Sequence, residues 1–272
     1  MRIELYPGDM PGPSTGMPYE FRPYLDTFEL RSVKNPLGAV LILPGGGYNH
    51  RALHEGDPIA RRFNELGYHA FTLQYRVLPA TAPCAQLDVV RAIKIIRANA
   101  EKWCIDPEKI AVCGFSAGGH LAACAGMLAD RYDLKYNDFT DGVSGCANAM
   151  LLCYGVLSTT WTYIERGRTL VSGTHYSDPD GTVIDPIDFV NETTPPAYIW
   201  HTATDAAVPV DCSVEFARKM WQCKNTCELH VFPFGPHGRG LGLGFPDMVS
   251  WSKEAATFLE CRCGFPRAVF YN

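Results

Sequence analysis

The chain has 272 residues, 47% of them apolar and 19% charged, which supports a full hydrophobic core and argues against disorder. Its 24 basic and 29 acidic residues leave a net charge of −5, and the basic ones are scattered, so no nucleic-acid footprint is visible. No apolar run approaches the ~20 residues that span a bilayer, and the first eight residues lack the apolar stretch of a signal peptide.

These features predict a cytoplasmic protein with no membrane partner. The eleven cysteines are odd in number. Cys113, Cys124, Cys146 and Cys153 fall in apolar stretches, where a reduced thiol packs as a small core residue. The close pairs Cys223/Cys227 and Cys261/Cys263 lack partners at zinc spacing, so neither disulfides nor a metal is expected.

In chain order, residues 1–38 have room for one or two edge strands. Residues 39–43 form a short continuous apolar run followed by glycines. Asp57 reads as a helix N-cap with Pro58 at the first helical position and Gly67 as the stop; Ile59, Ala60, Phe63 and Leu66 recur at helical spacing between them. A strand is expected at 69–75. The clearest helix is 87–103, with Val89, Ile93, Ile96, Ala100 and Trp103 on one face. A buried strand at 110–114 leads into a helix ending near residue 128. Further strands are expected at 149–153, 197–201 and 229–232, and helices at 211–221 and 247–259, the last with an inward stripe of Met248, Trp251, Ala255 and Phe258.

Six apolar strands separated by helices predict a parallel sheet covered on both faces, hence an α/β protein. With no Gly/Pro-rich linker, a single domain over 1–272 is expected. Ligands gather at the carboxyl ends of such strands, which directs the search to the residues that follow them.

After the 110–114 strand comes Gly114-Phe115-Ser116-Ala117-Gly118-Gly119, a GxSxG match. A serine on a sharp strand-to-helix turn presents its hydroxyl above the sheet edge, and the helix start faces developing negative charge. A plain glycine-rich packing turn would look similar, but strand, turn and helix all fall where a nucleophile needs them. The serine needs a base and the base an orienting acid, in the chain order Ser, Asp, His. Asp205 follows the 197–201 strand and His237 follows the 229–232 strand, so Ser116, Asp205 and His237 are the expected catalytic residues.

Other candidates fit worse. Asp211 sits where an N-cap is expected, and Asp185 and Asp188 precede their strand. His201 and His230 fall within strands as core histidines, His120 is expected to pack against the sheet, and His50 and His54 to lie on the surface. The oxyanion donors are expected to be the Ala117 amide and, from Pro44-Gly45-Gly46-Gly47-Tyr48, the amides of Gly46 and Gly47, each worth ~3 kcal/mol of barrier. A phosphate-binding loop would need the Walker lysine or a GxGxxG pattern, and both are missing. Tyr48 is a candidate for lining the substrate pocket. Trp161, Tyr163 and Tyr176, in the short insertion at 155–196, could stack on a sugar or simply pack that insertion down.

Several of these segments resemble the α/β-hydrolase superfamily, in particular small bacterial esterases of the acetyl-xylan esterase and carbohydrate acetylesterase kind. The similarity runs through Leu43-Pro44-Gly45-Gly46-Gly47-Tyr48, Glu55-Gly56-Asp57-Pro58, Tyr75-Arg76 and Asp88-Val89-Val90-Arg91-Ala92-Ile93. It continues in Asp106-Pro107, Gly114-Phe115-Ser116-Ala117-Gly118-Gly119-His120-Leu121 and the segments of Asp205 and His237. Hormone-sensitive-lipase-like enzymes carry His before the three glycines, whereas this chain has Pro44. The resemblance implies a mostly parallel eight-stranded sheet, and the 155–196 segment is too short for a large lid domain. It also implies a cofactor-free serine esterase acting on short acyl esters, often acetyl groups, of a small-molecule or oligosaccharide substrate. An arylformamidase or peptidase-like hydrolase shares the triad, and a non-catalytic binding module shares the fold. No pattern in the sequence indicates an oligomeric state.

Overall fold

The computed structural model describes residues 1–13, 21–158, 176–177 and 183–270. Its strands are β1 (Arg2–Glu4), β2 (Tyr24–Phe28), β3 (Leu37–Leu43), β4 (His69–Gln74), β5 (Ile105–Phe115), β6 (Ala149–Cys153), β7 (Ala197–Thr202) and β8 (Cys227–Phe232). They form one sheet in the order β1-β2-β4-β3-β5-β6-β7-β8. Both strands expected within residues 1–38 form, with β1 at the edge and β2 next to it; they pair antiparallel, β1 with β2 and β2 with β4, and the ladders from β4 through β8 are parallel.

The helices described are α1 (Asp57–Glu65), α2 (Cys84–Ala98), α3 (Ala100–Trp103), α4 (Ala117–Met127), α5 (Asp211–Gln222) and α6 (Trp251–Cys263). They cover both faces. Ala39, Leu41 and Leu43 of β3 point into a layer shared with α2 to α5, whereas Val40 and Ile42 point into a layer shared with α1 and α6. Side chains alternate across a pleated strand, so only a strand buried on both sides is apolar at every position. β3 is buried throughout. Among the described residues, no helix is long and apolar enough to cross a membrane.

Several boundaries differ from the sequence expectation for local reasons. The cap of α1 is Gly56, with Asp57 its first helical residue, and α5 likewise begins at Asp211 with Val210 as cap; neither carboxylate makes a capping bond. The expected helix over 87–103 is two pieces. The Asn99 side-chain amide donates to the Ile95 carbonyl (2.8 Å), and the backbone turns there before α3. The last helix starts and ends four residues later than expected. Met248 belongs to a turn closed by amides 248 and 251, and Gly264, at φ 65°, is the left-handed stop.

Beyond its apolar stripe, α2 buries its charged side as well. Asp88 accepts Arg76 Nη2 (2.6 Å), Arg91 pairs with Asp138 (2.5 Å) and reaches the Leu5 carbonyl (2.9 Å), and Lys94 pairs with Asp133 (2.5 Å).

The register aligns the carboxyl ends of the parallel strands. Leu43 pairs with Gly114, Phe115 with Cys153, Cys153 with Trp200, and Thr202 with Phe232. The loops after β3, β5, β6, β7 and β8 therefore leave one rim of the sheet.

Candidate active site

Ser116 sits on that rim between β5 and α4 with φ 54° and ψ −118°, a left-handed conformation costly for a non-glycine residue. The surrounding bonds hold it there. Its amide donates to the Cys153 carbonyl (3.0 Å), and its carbonyl accepts the amides of Gly119 (2.9 Å) and Val156 (3.2 Å). The flanking glycines are sterically required, because a Cβ on Gly114 would stand 2.0 Å from the Gly118 carbonyl oxygen and one on Gly118 2.1 Å from that of Leu43.

The structure brings Ser116, Asp205 and His237 together. His237 Nε2 lies 2.8 Å from Ser116 Oγ, and its Nδ1 lies 2.6 Å from Asp205 Oδ2. A carboxylate can only accept, so Nδ1 carries the proton and Nε2 is the lone pair facing the serine hydroxyl. The other Asp205 oxygen accepts the amides of Ala207 (2.7 Å) and Val208 (2.9 Å). Burial works to raise the Asp205 carboxyl. The hydrogen bonds from His201 and His237, with the charge of His237, outweigh it and hold the group well below the usual carboxylate range.

His201 is more than a core histidine. Its Nε2 faces two acceptors, the Val208 carbonyl (3.0 Å) and Asp205 Oδ2 (3.3 Å), so it bears the proton; Nδ1 then accepts from the Ser213 hydroxyl (2.7 Å). Asp205 thus lies between two histidines.

On the other side of Ser116 is the glycine loop. Gly46, Gly47 and Tyr48 all adopt positive φ (123°, 62° and 58°), and the Gly46 carbonyl accepts the Asn49 amide (3.0 Å). The amides of Gly46, Gly47 and Ala117 have no hydrogen-bond partner among the described residues, whereas that of Gly45 donates to Glu55.

The remaining expected residues are placed differently. Tyr48 does not line an open pocket: it is fully buried, edge-on to Tyr75 and Tyr176, because its hydroxyl donates inward to His120 Nδ1 (2.9 Å). His120 Nε2 donates to the Ile184 carbonyl (3.0 Å), so this histidine bridges the glycine loop and the segment before β7 rather than simply packing on the sheet. Burial pushes it down to about 4, against that carbonyl's pull. Tyr176 is buried against Tyr48 and His120, while Trp161 and Tyr163 lie outside the described residues.

His230 is half-exposed, since β8 is the sheet edge, and sits 3.4 Å from Glu254. His50 and His54 are exposed as expected, although His54 Nε2 donates to the Gly238 carbonyl (2.9 Å). Asp185 is buried near Ser158, and Asp188 is exposed. Sequence reasoning missed Glu55, Tyr154 and His201 as members of the site. Of these, only His201 had a local cue in the sequence, its nearness to Asp205 four residues on, which it meets at 3.3 Å.

The whole fold is matched by the crystal structure of an acetyl ester-xyloside bifunctional hydrolase from Caldicellulosiruptor lactoaceticus, with a TM-score of 0.87 and 36% identity over 98% of this chain and 97% of that one. A 206-residue match, 35% identical, covers 73% of this chain and 32% of endo-1,4-beta-xylanase B from Butyrivibrio fibrisolvens. Acetylxylan esterase from Xylanibacter ruminicola is 28% identical over 81% of this chain and 46% of its own length. This chain therefore spans less than half of either curated relative. The architecture is the α/β-hydrolase fold. The BD-FAE family model matches residues 25–220, and the chain belongs to the BD-FAE family.

Proposed function

We propose that this protein is a serine esterase that cleaves short-chain acyl esters, acetyl esters foremost, carried on carbohydrate or other small alcohols. The observation that carries the reading is the unbroken line from Asp205 Oδ2 to His237 Nδ1 and from His237 Nε2 to Ser116 Oγ, at 2.6 and 2.8 Å. In that reading His237 accepts the Ser116 proton as Oγ attacks the ester carbonyl, and the anion of Asp205 stabilises the imidazolium. The carbonyl oxygen, now negative, takes hydrogen bonds from the Gly46, Gly47 and Ala117 amides, which are otherwise unengaged among the described residues. His237 returns the proton to the departing alcohol, leaving an acyl ester on Ser116. Water, deprotonated by the same imidazole, then releases the acid.

The acetyl and carbohydrate preference draws on the names of the Caldicellulosiruptor and Xylanibacter relatives. The chain acts as one domain, its two apolar layers sharing a single sheet. A cytoplasmic site of action fits an odd set of cysteines with buried thiols at Cys113, Cys124 and Cys153.

The test is a panel of 4-nitrophenyl esters from acetate to decanoate, run beside acetylated xylo-oligosaccharide and an N-formyl aryl amide. Highest kcat/KM on acetate, with acetate released from the oligosaccharide, is expected. A maximum at long acyl chains, or on the formamide, contradicts the assignment.

A further inference from the structure

A buried carboxylate outside the Ser116–His237–Asp205 line joins the two loops that flank it. Glu55 ends a short turn (Leu53–Glu55) and is 2% exposed. Its Oε2 accepts the Gly45 amide (2.8 Å), and its Oε1 accepts the Tyr154 hydroxyl (2.6 Å). Tyr154 Oη in turn accepts the Gly240 amide (2.9 Å), so its only proton is committed to Glu55. Both donors point at the carboxyl, the pattern an ionised group satisfies and a carboxamide cannot.

Each end of this bridge reaches a part of the proposed machinery. The peptide between Pro44 and Gly45 is pinned from both sides: its carbonyl accepts Tyr75 Oη (2.5 Å) while its N–H donates to Glu55. Gly46 follows directly. A Cβ on Gly45 would stand 2.7 Å from Glu55 Oε2 and 3.0 Å from Ser116 Cβ, so the loop at Gly45 is bordered by both the carboxylate and the serine. At the other end, the Tyr154 ring stands edge-on to the His237 ring with centroids 5.0 Å apart. Tyr154 holds that place with φ 39°, a left-handed conformation its surroundings must maintain. The Gly240 amide and the His54 bond to the Gly238 carbonyl tether the chain just after His237 to the same cluster.

We propose that Glu55 is the positioning residue of this site, its carboxylate keeping the Gly46 and Gly47 amides and the His237 imidazole in register about Ser116. This rests on the esterase reading above. Glu55 does not reach the reacting atoms. It acts by fixing two loops that approach the serine from opposite sides, and small displacements of such groups cost about a hundredfold in rate.

The experiment compares Glu55→Gln, Tyr154→Phe and the double variant with the native chain on 4-nitrophenyl acetate. It also measures the affinity of phenylboronic acid, whose tetrahedral adduct on the serine needs the same amides. Glu55→Gln is expected to lower kcat about a hundredfold with KM within about twofold, and to weaken phenylboronic acid by a similar factor. Tyr154→Phe, which keeps Glu55 but cuts the tie to Gly240, is expected to lower kcat about tenfold. The double variant should be no worse than Glu55→Gln alone, because both break one bridge.

An unchanged kcat in folded Glu55→Gln, or a loss confined to KM, overturns the proposal. Should Glu55→Gln fail to fold, an unchanged kcat in Tyr154→Phe does so instead. Ser116→Ala separates the two levels of the argument. If it is inactive while Glu55→Gln is unimpaired, only the role of Glu55 falls; if it still turns over, the esterase mechanism itself falls.

Discussion

Asp205→Asn reverses the hydrogen-bonding sense of one atom, and the structure fixes which one. Asp205 Oδ1 accepts the two backbone amides of Ala207 and Val208, so the asparagine carbonyl must take that place. The amide nitrogen is left where Oδ2 was, 2.6 Å from His237 Nδ1 and 3.3 Å from His201 Nε2. That nitrogen can only donate. His237 answers by moving its proton from Nδ1 to Nε2, the atom 2.8 Å from Ser116 Oγ, and then has no lone pair to receive the serine proton. The cation formed during attack also loses its counter-charge. For this reversal of tautomer the expected loss in kcat is on the order of 10⁴-fold, or ~5.5 kcal/mol of transition-state stabilisation. KM should change little, since Asp205 is buried behind the histidine. Initial rates on 4-nitrophenyl acetate near neutral pH, with urea unfolding to check the fold, measure it. A variant that is folded and within tenfold of native kcat would refute the tautomer argument.

Two further expectations concern stability. His120 is held neutral by burial, at about 4 when folded against its ordinary 6.5, so between those values the unfolded chain binds the extra proton. Stability therefore falls as pH drops from 6.5 to 4, by ~3 kcal/mol from this residue. Urea unfolding of native and His120→Gln chains across pH 4–7 should show that much less acid sensitivity in the variant, and superimposable slopes would contradict it. Asp88→Asn removes the counter-charge of Arg76, which it binds at 2.6 Å with both side chains almost wholly buried. A loss of about 3–5 kcal/mol is expected, read as a lower urea midpoint at unchanged m; a loss under 1 kcal/mol would show the pair to be expendable.

The sheet was legible because its physics is local. β3 and β6 must be apolar at every position when both faces are covered, and their runs stand out between glycines and prolines. Ser116, Asp205 and His237 were legible for a related reason, since each lies in the segment that follows a strand whose carboxyl end defines the rim.

Polar side chains whose partners come from far along the chain were not legible. Glu55 reads as one more charge at a helix entrance until Tyr154, 99 residues later, meets it. Arg91 and Lys94 of α2 meet their partners only in residue 5 and segment 133–140, far away in the chain. Tyr48 beside the glycine loop looked like a pocket aromatic, yet only the position of His120 decides that its hydroxyl turns inward. Helix ends shifted where a continuing apolar stripe, as at Met248, ran past the hydrogen-bonded helix into a turn.

The activation of the Ser116 hydroxyl by His237 is tested most directly by intact-protein mass spectrometry after brief exposure to a fluorophosphonate at neutral pH. The account predicts a single adduct, mapped to Ser116, absent in Ser116→Ala and formed far more slowly in His237→Ala. A native chain that stays unlabelled, or an adduct that persists in Ser116→Ala, would contradict it.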